Sequence, residues 1–236
     1  MGRAFEYRRA AKEKRWDKMS RIFPKLGKAI TVAAKSGGED PSLNPALRTA
    51  VQNAKAQNMP KTNIDAAIKR ASGKDAENYV DELYEGKGPH GTMFMVECMT
   101  DNHARTVANM KWMFNKYGAG LVSPGSMEFM FSRKAVVEFV KPAGKDTEEL
   151  EMDLIDGGLE ELVENDGVLY AYADYTDFGA LVQAFEDLGI EITKANLQRI
   201  PTSPVELTDE QMDEVDKLLD KIEEDEDVQQ VFTNIA

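Results

Sequence analysis

The chain has 236 residues, of which 42% are hydrophobic, and a formal net charge of −13. It contains no apolar run of about eighteen residues, so we expect no membrane span, and its N-terminus lacks the apolar core of a secretory signal. The single cysteine, Cys98, cannot form an internal disulfide, which agrees with a reducing, cytoplasmic location. The length allows one to three domains.

The charge is divided unevenly along the chain. Residues 1–78 contain 17 Lys or Arg against 8 Asp or Glu, a formal charge of +9, and the remaining residues carry −22. The first 28 residues alone contain ten basic and three acidic side chains. Because a basic region attracts polyanions and an acidic one repels them, this division predicts two bodies with different electrostatic roles.

The first third of the chain is predicted to be helical, because it is rich in Ala, Lys and Arg and has almost no strand pattern. Pro24 is expected to end the opening helix or to begin the next one, which stops at Ser36–Gly38. A second helix follows Asn44-Pro45, and a third runs from near Pro60 to Gly73. Their apolar faces predict a bundle with the core residues Leu26, Ile30, Leu47, Val51, Ile64 and Ile68.

The residues before Trp16 fit this bundle poorly. Phe5 and Tyr7 are the only large apolar side chains among them. A helix with so little surface to bury is marginal by itself. We therefore expect a basic arm that is mobile or becomes ordered on a partner.

From Tyr79 onward the pattern mixes strands and helices. VDELYEG and TMFMVECMT are predicted strands joined by the glycine-rich loop Gly86–Gly91, with Cys98 as a packed thiol in the second strand. Asp101 or Asn102 is expected to cap the following helix, which is expected to end at Gly118. SMEFMF predicts another strand.

The segment from about Arg133 to Ile200 has the element order β-α-β-β-α-β. The stretches are AVVEFV, TEELEMDLIDGG, LEELV, VLYAYA, DFGALVQAFEDLG and EITKANLQRI. This is the order of a ferredoxin-like unit. After a linker with two prolines, TDEQ is a capping box that starts a last helix, and VQQVFTNI is a last strand.

The last helix and strand have no sheet of their own. We therefore expect them to return to the sheet of residues 79–131, which makes the ferredoxin-like unit an insertion. The predicted fold class is α+β with several domains: a three-helix domain and two α+β domains. The expected boundaries are 1–78, 79–131 plus 203–236, and 132–202.

Four stretches carry a resemblance to a known family: LRTAVQNAKAQNMPKTNIDAAIKRASG, YEGKGPHG, TDNHARTVANMKWMFNKYG and GSMEFMF. Together they make the chain resemble the YebC-type family of probable transcriptional regulators, which includes the mitochondrial translational activator of cytochrome oxidase. The resemblance implies three domains and a cytosolic, non-enzymatic factor that acts on gene expression through nucleic acid. The family usually opens with Gly-His-Ser-Lys-Trp, whereas Gly2 here precedes Arg-Ala-Phe-Glu-Tyr, so contacts of that His and Trp cannot be transferred.

The basic side chains of the first third are candidate phosphate contacts, with Tyr7 or Trp16 available to stack on unpaired bases. They are Arg8, Arg9, Lys12, Lys14, Arg15, Lys18, Lys25, Lys28, Lys61, Lys69 and Arg70. A solvated helix face is the alternative for the arm, and a favourable helix-dipole interaction is the alternative for Lys69 and Arg70. A helix-turn-helix mode is poorly supported, because the third helix lacks a run of base-reading Asn, Gln and Arg.

The loop of Gly86, Lys87, Gly88, Pro89, His90 and Gly91 lets the backbone approach a neighbour closely. It does not have the phosphate-cradling spacing that ends in Gly-Lys-Ser/Thr. Two interpretations stay open: a hairpin connection, or a contact loop for RNA or protein.

Catalysis and metal binding have little support in the sequence, since two histidines and one cysteine provide few ligands. Capping would explain Asp101 and Asn102, a salt bridge would explain Arg105, and the acidic run Glu223–Asp227 is expected to be a solvated helix end. We predict no catalytic, cofactor or metal residues.

The predicted function is a cytoplasmic, non-enzymatic, nucleic-acid-binding regulator of gene expression, with DNA-binding transcription regulation as the first reading. A ribosome-associated translation factor that binds ribosomal RNA is the alternative. An enzyme whose acidic cleft holds a cationic substrate is a remote third. Charge alone predicts a polyanionic partner and does not distinguish DNA from RNA.

Overall fold

A computed structural model describes residues 3–73, 78–165 and 167–236 of the chain, with side chains from residue 19 onward. Within them lie seven α-helices and two four-stranded antiparallel sheets, which confirms the α+β, multidomain fold class. In chain order the elements are α1 Arg3–Gly37, α2 Pro45–Ala56, α3 Lys61–Arg70, β1 Val80–Lys87, β2 Met93–Thr100, α4 His103–Lys116, β3 Gly120–Leu121, β4 Phe131–Val140, α5 Thr147–Ile155, β5 Leu159–Asn165, β6 Val168–Asp174, α6 Phe178–Asp187, β7 Ile192–Pro201, α7 Asp209–Glu223 and β8 Val228–Thr233. No helix of this described part is both long and apolar enough to cross a bilayer.

The opening helix does not break at its proline. Pro24 lies inside α1, which continues to Gly37, so the prediction of a helix boundary there is wrong. A proline inside a helix removes one hydrogen bond, but packing can outweigh that loss. Phe23 and Leu26, on either side of Pro24, pack against the bundle core and hold the helix through this position. The expected mobile or partner-ordered arm corresponds to the first part of α1, and its side chains lie outside the described residues.

The three-helix bundle closes around the predicted apolar faces. Four of the six predicted core residues are buried: Ile30, Leu47, Val51 and Ile64. Leu26 and Ile68 are partly buried at its edge. The predicted cap of α2 is also present, because the Asn44 side chain accepts a hydrogen bond from the Leu47 backbone N–H at 3.1 Å.

The first sheet has the strand order β3-β1-β2-β8. Helices α4 and α7 pack on one of its faces around a core that includes Phe94, Phe114 and Leu218. The cap of α4 is Asn102, whose side chain accepts from the Arg105 N–H at 3.1 Å. Strand β8 pairs with β2, so the last helix and strand return to this sheet, as the sequence predicted.

The SMEFMF stretch does not form the predicted strand. Glu128–Met130 is a single 3-10 turn, and the strand starts only at Phe131, where it continues into β4. The chain before it is held in a tight turn by the buried carboxylate of Glu85, which accepts from the backbone N–H groups of Gly125 at 2.5 Å and Met127 at 2.6 Å. This long-range contact with β1 fixes the start of the stretch in a turn rather than in an extended strand.

The second sheet has the strand order β5-β6-β4-β7, with α5 and α6 on one face. Both helices pack against a core that contains Phe139, Leu169 and Phe185. This arrangement realises the β-α-β-β-α-β order expected of a ferredoxin-like unit. The domain boundaries 1–78, 79–131 plus 203–236, and 132–202 remain our proposal for dividing the chain.

Direct contacts join the helical bundle to the second sheet. The side chain of Asn53 on α2 donates to the Ala195 carbonyl at 2.8 Å and accepts from the Ala195 N–H at 3.0 Å, so it pairs with the free edge of β7. Arg48 forms an ion pair with Glu186 at 2.8 Å. These contacts protect an edge strand and fix the bundle against the ferredoxin-like unit.

Candidate nucleic-acid interface

Helix α3 presents the predicted cations of the bundle to solvent. Lys61 is exposed at its first position, and Lys69 and Arg70 are exposed in its last turn. None of the three forms a hydrogen bond or ion pair through its side chain with another described residue. Lys55, in the last turn of α2, is a further exposed lysine that sequence reasoning missed, and only its charge could have marked it. These side chains keep their charge available to an external anion.

Lys25 and Lys28 are positioned differently, because α1 directs them toward the C-terminal end of α7. The Lys25 ammonium donates to the Glu223 carbonyl at 2.8 Å, and the Lys28 ammonium donates to the carbonyls of Met99 at 2.9 Å and Glu226 at 3.0 Å. Burial lowers the pKa of Lys25, and the nearby carboxylate of Glu223 opposes that shift. Cations at the C-terminal end of a helix are favourable, so both lysines stabilise the docking of the bundle rather than offering free charge.

A buried carboxylate completes this docking contact. Asp227 is 2% exposed and accepts hydrogen bonds from Lys28 at 3.1 Å, from Thr106 at 2.9 Å and from the guanidinium of Arg105 at 2.8 Å. Burial alone would raise the pKa of Asp227, but the hydrogen bonds from Arg105, Lys28 and Thr106 outweigh it and hold the pKa below its ordinary value. The prediction that the whole acidic run is a solvated helix end is therefore wrong for this residue. The predicted salt bridge of Arg105 is present, with Asp227 and also with Asp101 at 2.8 Å.

A cleft of about 460 Å³ opens between the bundle and the first sheet, beside this docking contact. Its lining carries both signs of charge: the cations Lys28, Arg70 and Arg105 and the carboxylates Asp101, Asp225, Glu226 and Asp227. A cleft attracts phosphate when its lining is predominantly positive, whereas three cations and four carboxylates leave this one without a net positive charge. The cleft therefore does not extend the cationic surface of α3, although Arg70 is among its lining residues.

The side chains of the remaining predicted contacts lie outside the described residues. They are Arg8, Arg9, Lys12, Lys14, Arg15 and Lys18, together with the stacking candidates Tyr7 and Trp16. Their backbone belongs to α1.

The glycine-rich loop is explained largely by internal packing. A Cβ atom on Gly86 would lie 2.1 Å from the Phe114 ring, and one on Gly88 would lie 2.4 Å from the Phe94 ring, so both positions exclude a side chain. His90 adopts a left-handed backbone conformation, with φ of 56°, and its Nε2 lies 2.7 Å from a carboxylate oxygen of Glu214. These contacts favour the hairpin connection over a ligand loop. Lys87 stays exposed at its edge.

The side chains that could take part in catalysis or metal binding are explained by structural contacts. Cys98 is buried in β2, and burial raises the pKa of its thiol well above its ordinary value, which keeps it protonated and inert. His103 lies 2.6 Å from a Glu82 carboxylate oxygen. Within the described parts of the chain, no three His, Cys, Asp or Glu side chains lie close enough together to hold a metal ion.

Comparison with known proteins matches nearly the whole chain to models of one protein family. A family model described as the TACO1/YebC protein N-terminal domain matches residues 3–74, and one described as the TACO1/YebC second and third domain matches residues 79–235. Probable transcriptional regulatory proteins of Wolinella succinogenes and Helicobacter hepaticus are 63% and 61% identical, with all of both chains covered in each case. The crystal structure of a conserved hypothetical protein from Aquifex aeolicus is similar with a TM-score of 0.79 and 36% identity, over 93% of this chain and 90% of that one.

Proposed function

This chain belongs to the TACO1/YebC family, and from that premise we propose that it is a non-enzymatic regulator of gene expression that binds nucleic acid through its basic helical domain. The relatives are named probable transcriptional regulatory proteins, which supports a role in transcription. We place the protein in the cytoplasm, where its proposed nucleic-acid partner is available.

The division of charge carries this proposal. Residues 1–78 hold +9 and the remainder −22, and the described cations of α3 face solvent without partners among the described residues. Nucleic-acid affinity comes largely from such cations, because they displace counterions condensed on the phosphates. The acidic remainder repels phosphate and so confines the contact to the helical domain.

Two candidate targets follow. The first is DNA, as the names of the relatives suggest. The second is ribosomal RNA, which would make the protein a ribosome-associated translation factor. The exposed side chains of α3 support the second candidate, since Lys61, Lys69 and Arg70 can neutralise phosphates but do not form a set of base-edge readers. We therefore propose a largely sequence-independent contact.

Removing the positive charges of the basic arm tests whether the arm binds nucleic acid. Replacing Arg8, Arg9, Lys12 and Lys14 by alanine should weaken binding to duplex DNA or single-stranded RNA at least tenfold at low salt, because four phosphate contacts are lost. A control that exchanges Arg for Lys and Lys for Arg at the same positions keeps the charge and should bind within about threefold of the wild type. A large fall in melting temperature, or equal loss in the control, would contradict the proposal.

The cations of α3 have a matched control on the acidic body. Lys61→Ala with Lys69→Ala should weaken nucleic-acid binding several-fold, since each lysine contributes a phosphate contact. Lys111→Ala with Lys217→Ala removes the same charge from exposed positions on α4 and α7 and should leave affinity nearly unchanged. Equal effects of the two pairs would show that only net charge matters.

Salt and sequence dependence separate anchoring from base reading. With about six phosphates neutralised, log affinity against log salt should slope at roughly −0.9 per phosphate on duplex DNA and about −0.7 per phosphate on a single strand. Unrelated sequences of one nucleic-acid type should bind almost equally. If one duplex binds a thousandfold tighter than scrambled controls at physiological salt, the sequence-independent proposal fails.

Sedimentation of cell extracts on a sucrose gradient distinguishes the two targets. Co-migration with ribosomes that is lost in the arm variant supports the ribosomal candidate. Enrichment on chromosomal DNA instead supports the transcriptional one.

A further inference from the structure

The face of the second sheet that α5 and α6 leave uncovered carries a pair of tyrosines on a central strand. Tyr170 and Tyr172 lie two residues apart on β6 and therefore point to the same side, about 7 Å apart along the strand. The strand pairing places Glu138 and Val163 beside Tyr170, and Glu161 beside Tyr172. The rings are thus bordered by carboxylates on both neighbouring strands.

Part of this face is accessible to a partner, although Val136 on β4, opposite Tyr172, is buried. Val140, which belongs to the same face, exposes 64% of its surface, and Val163 exposes 37%. Both tyrosines are partly exposed, and neither hydroxyl forms a hydrogen bond with another described residue. Burial raises the pKa of Tyr172, with a further contribution from Glu161.

The charges at this face favour a cation. Glu138 forms an ion pair with Lys194 at 3.4 Å, whereas Glu161 has no ion pair within the described chain. Residues 132–202 contain sixteen Asp or Glu and six Lys or Arg, a formal charge of −10. Aromatic faces attract cations through their quadrupole, and an adjacent carboxylate adds a direct charge partner.

We propose that the rings of Tyr170 and Tyr172 and the carboxylate of Glu161 form a docking site for the Lys or Arg side chains of a basic protein segment. The occupant is a protein rather than a nucleic acid because the −10 charge of this unit repels phosphates. The facing positions of β4 also argue against base stacking. They are Val136 and Glu138, so the second central strand offers no ring for a base.

This site gives the acidic part of the chain a role beyond the proposed function. Proteins that bind nucleic acid are themselves rich in Lys and Arg. In a nucleoprotein assembly, the helical domain would contact the nucleic acid while the second sheet contacts a basic protein beside it. The two contacts use opposite charges and separate surfaces, so each can be disrupted alone.

The test uses the full chain and a fluorescein-labelled peptide of five Arg-Gly repeats, with binding followed by fluorescence anisotropy in 50 mM salt. Tyr170→Leu with Tyr172→Leu should weaken binding about five- to twentyfold, since two cation–π contacts are lost. The corresponding double Phe variant keeps the rings and should bind within about twofold of the wild type. Thermal unfolding of both double variants checks that the sheet is intact.

A charge-matched pair completes the test. Glu161→Gln should weaken peptide binding about two- to fivefold, whereas Glu164→Gln, on the same strand but opposite Leu169 on the helix-covered face, should change it less. Equal effects of the two substitutions, or peptide binding that the Leu variant leaves unchanged, would overturn the proposal. Weaker binding of oligouridylate by the Leu variant, with peptide binding intact, would assign the face to base stacking instead. Nucleic-acid binding through the helical domain is measured separately, so either proposal can fail without the other.

Discussion

Replacement of Asp227 by alanine should strongly destabilise the docking of the helical bundle on the first sheet. The carboxylate is buried and accepts from Arg105, Lys28 and Thr106, so its loss leaves a buried ammonium on Lys28 and a guanidinium on Arg105 without their shared anion. The substitution therefore removes a group that joins α1, α4 and the turn before β8.

The magnitude follows from the exposure of the partners. Breaking a buried ion pair by removing one member costs about 3–5 kcal/mol. The Lys28 side chain is 12% exposed, but that of Arg105 is 46% exposed, so water screens part of the loss. We expect a loss near the lower limit, about 3 kcal/mol, which for a chain of this size corresponds to a fall in melting temperature of about 6–12 °C.

Thermal unfolding at pH 7, followed by circular dichroism, measures this effect. The control is Glu226→Ala, which removes the same charge from the adjacent, exposed residue and should change stability by less than about 0.5 kcal/mol. A fall of less than about 2 °C for the Asp227 variant, or equal falls for the two variants, would refute the assignment of Asp227 as the docking anchor.

Three further effects follow from described contacts. The pKa of Asp227 is held below its ordinary value of 3.8, so its contribution to stability is complete above that pH and is lost as the pH falls through the folded-state pKa. The difference in unfolding free energy between wild type and Asp227→Asn, measured in urea, should therefore shrink below about pH 4. A difference that stays constant with pH would contradict this. Gly86→Ala places a Cβ 2.1 Å from the Phe114 ring and should cost about 2–3 kcal/mol or more in urea unfolding, whereas Gly120→Ala, with no atom within 4 Å of its Cβ, should cost less than about 1 kcal/mol. Asn53→Ala removes both hydrogen bonds to the edge of β7 and should cost about 1–3 kcal/mol, with faster amide exchange along that edge; unchanged exchange would show that the bundle does not protect the strand.

Sequence reasoning recovered features that depend on near neighbours in the chain. The caps of α2, α4 and α7 were each visible in a few consecutive residues, and so was the order of the ferredoxin-like strands and helices. The charge division was equally legible, because it needs only a count of residues. SMEFMF was misread because its β-like composition does not reveal the turn that Glu85 anchors from β1.

The amino-acid sequence by itself determined most of the helices and strands and the segregation of charge, since these follow from propensity, periodicity and composition. Only the tertiary structure decided which cations remain available. Lys28 and Asp227 are 199 residues apart in the chain and meet because α1 docks beside the end of α7. Each residue was expected to be exposed from the sequence, and instead they form a buried ion pair with each other. A contact between distant residues depends on how whole elements pack, and that information is not contained in any local stretch of the chain.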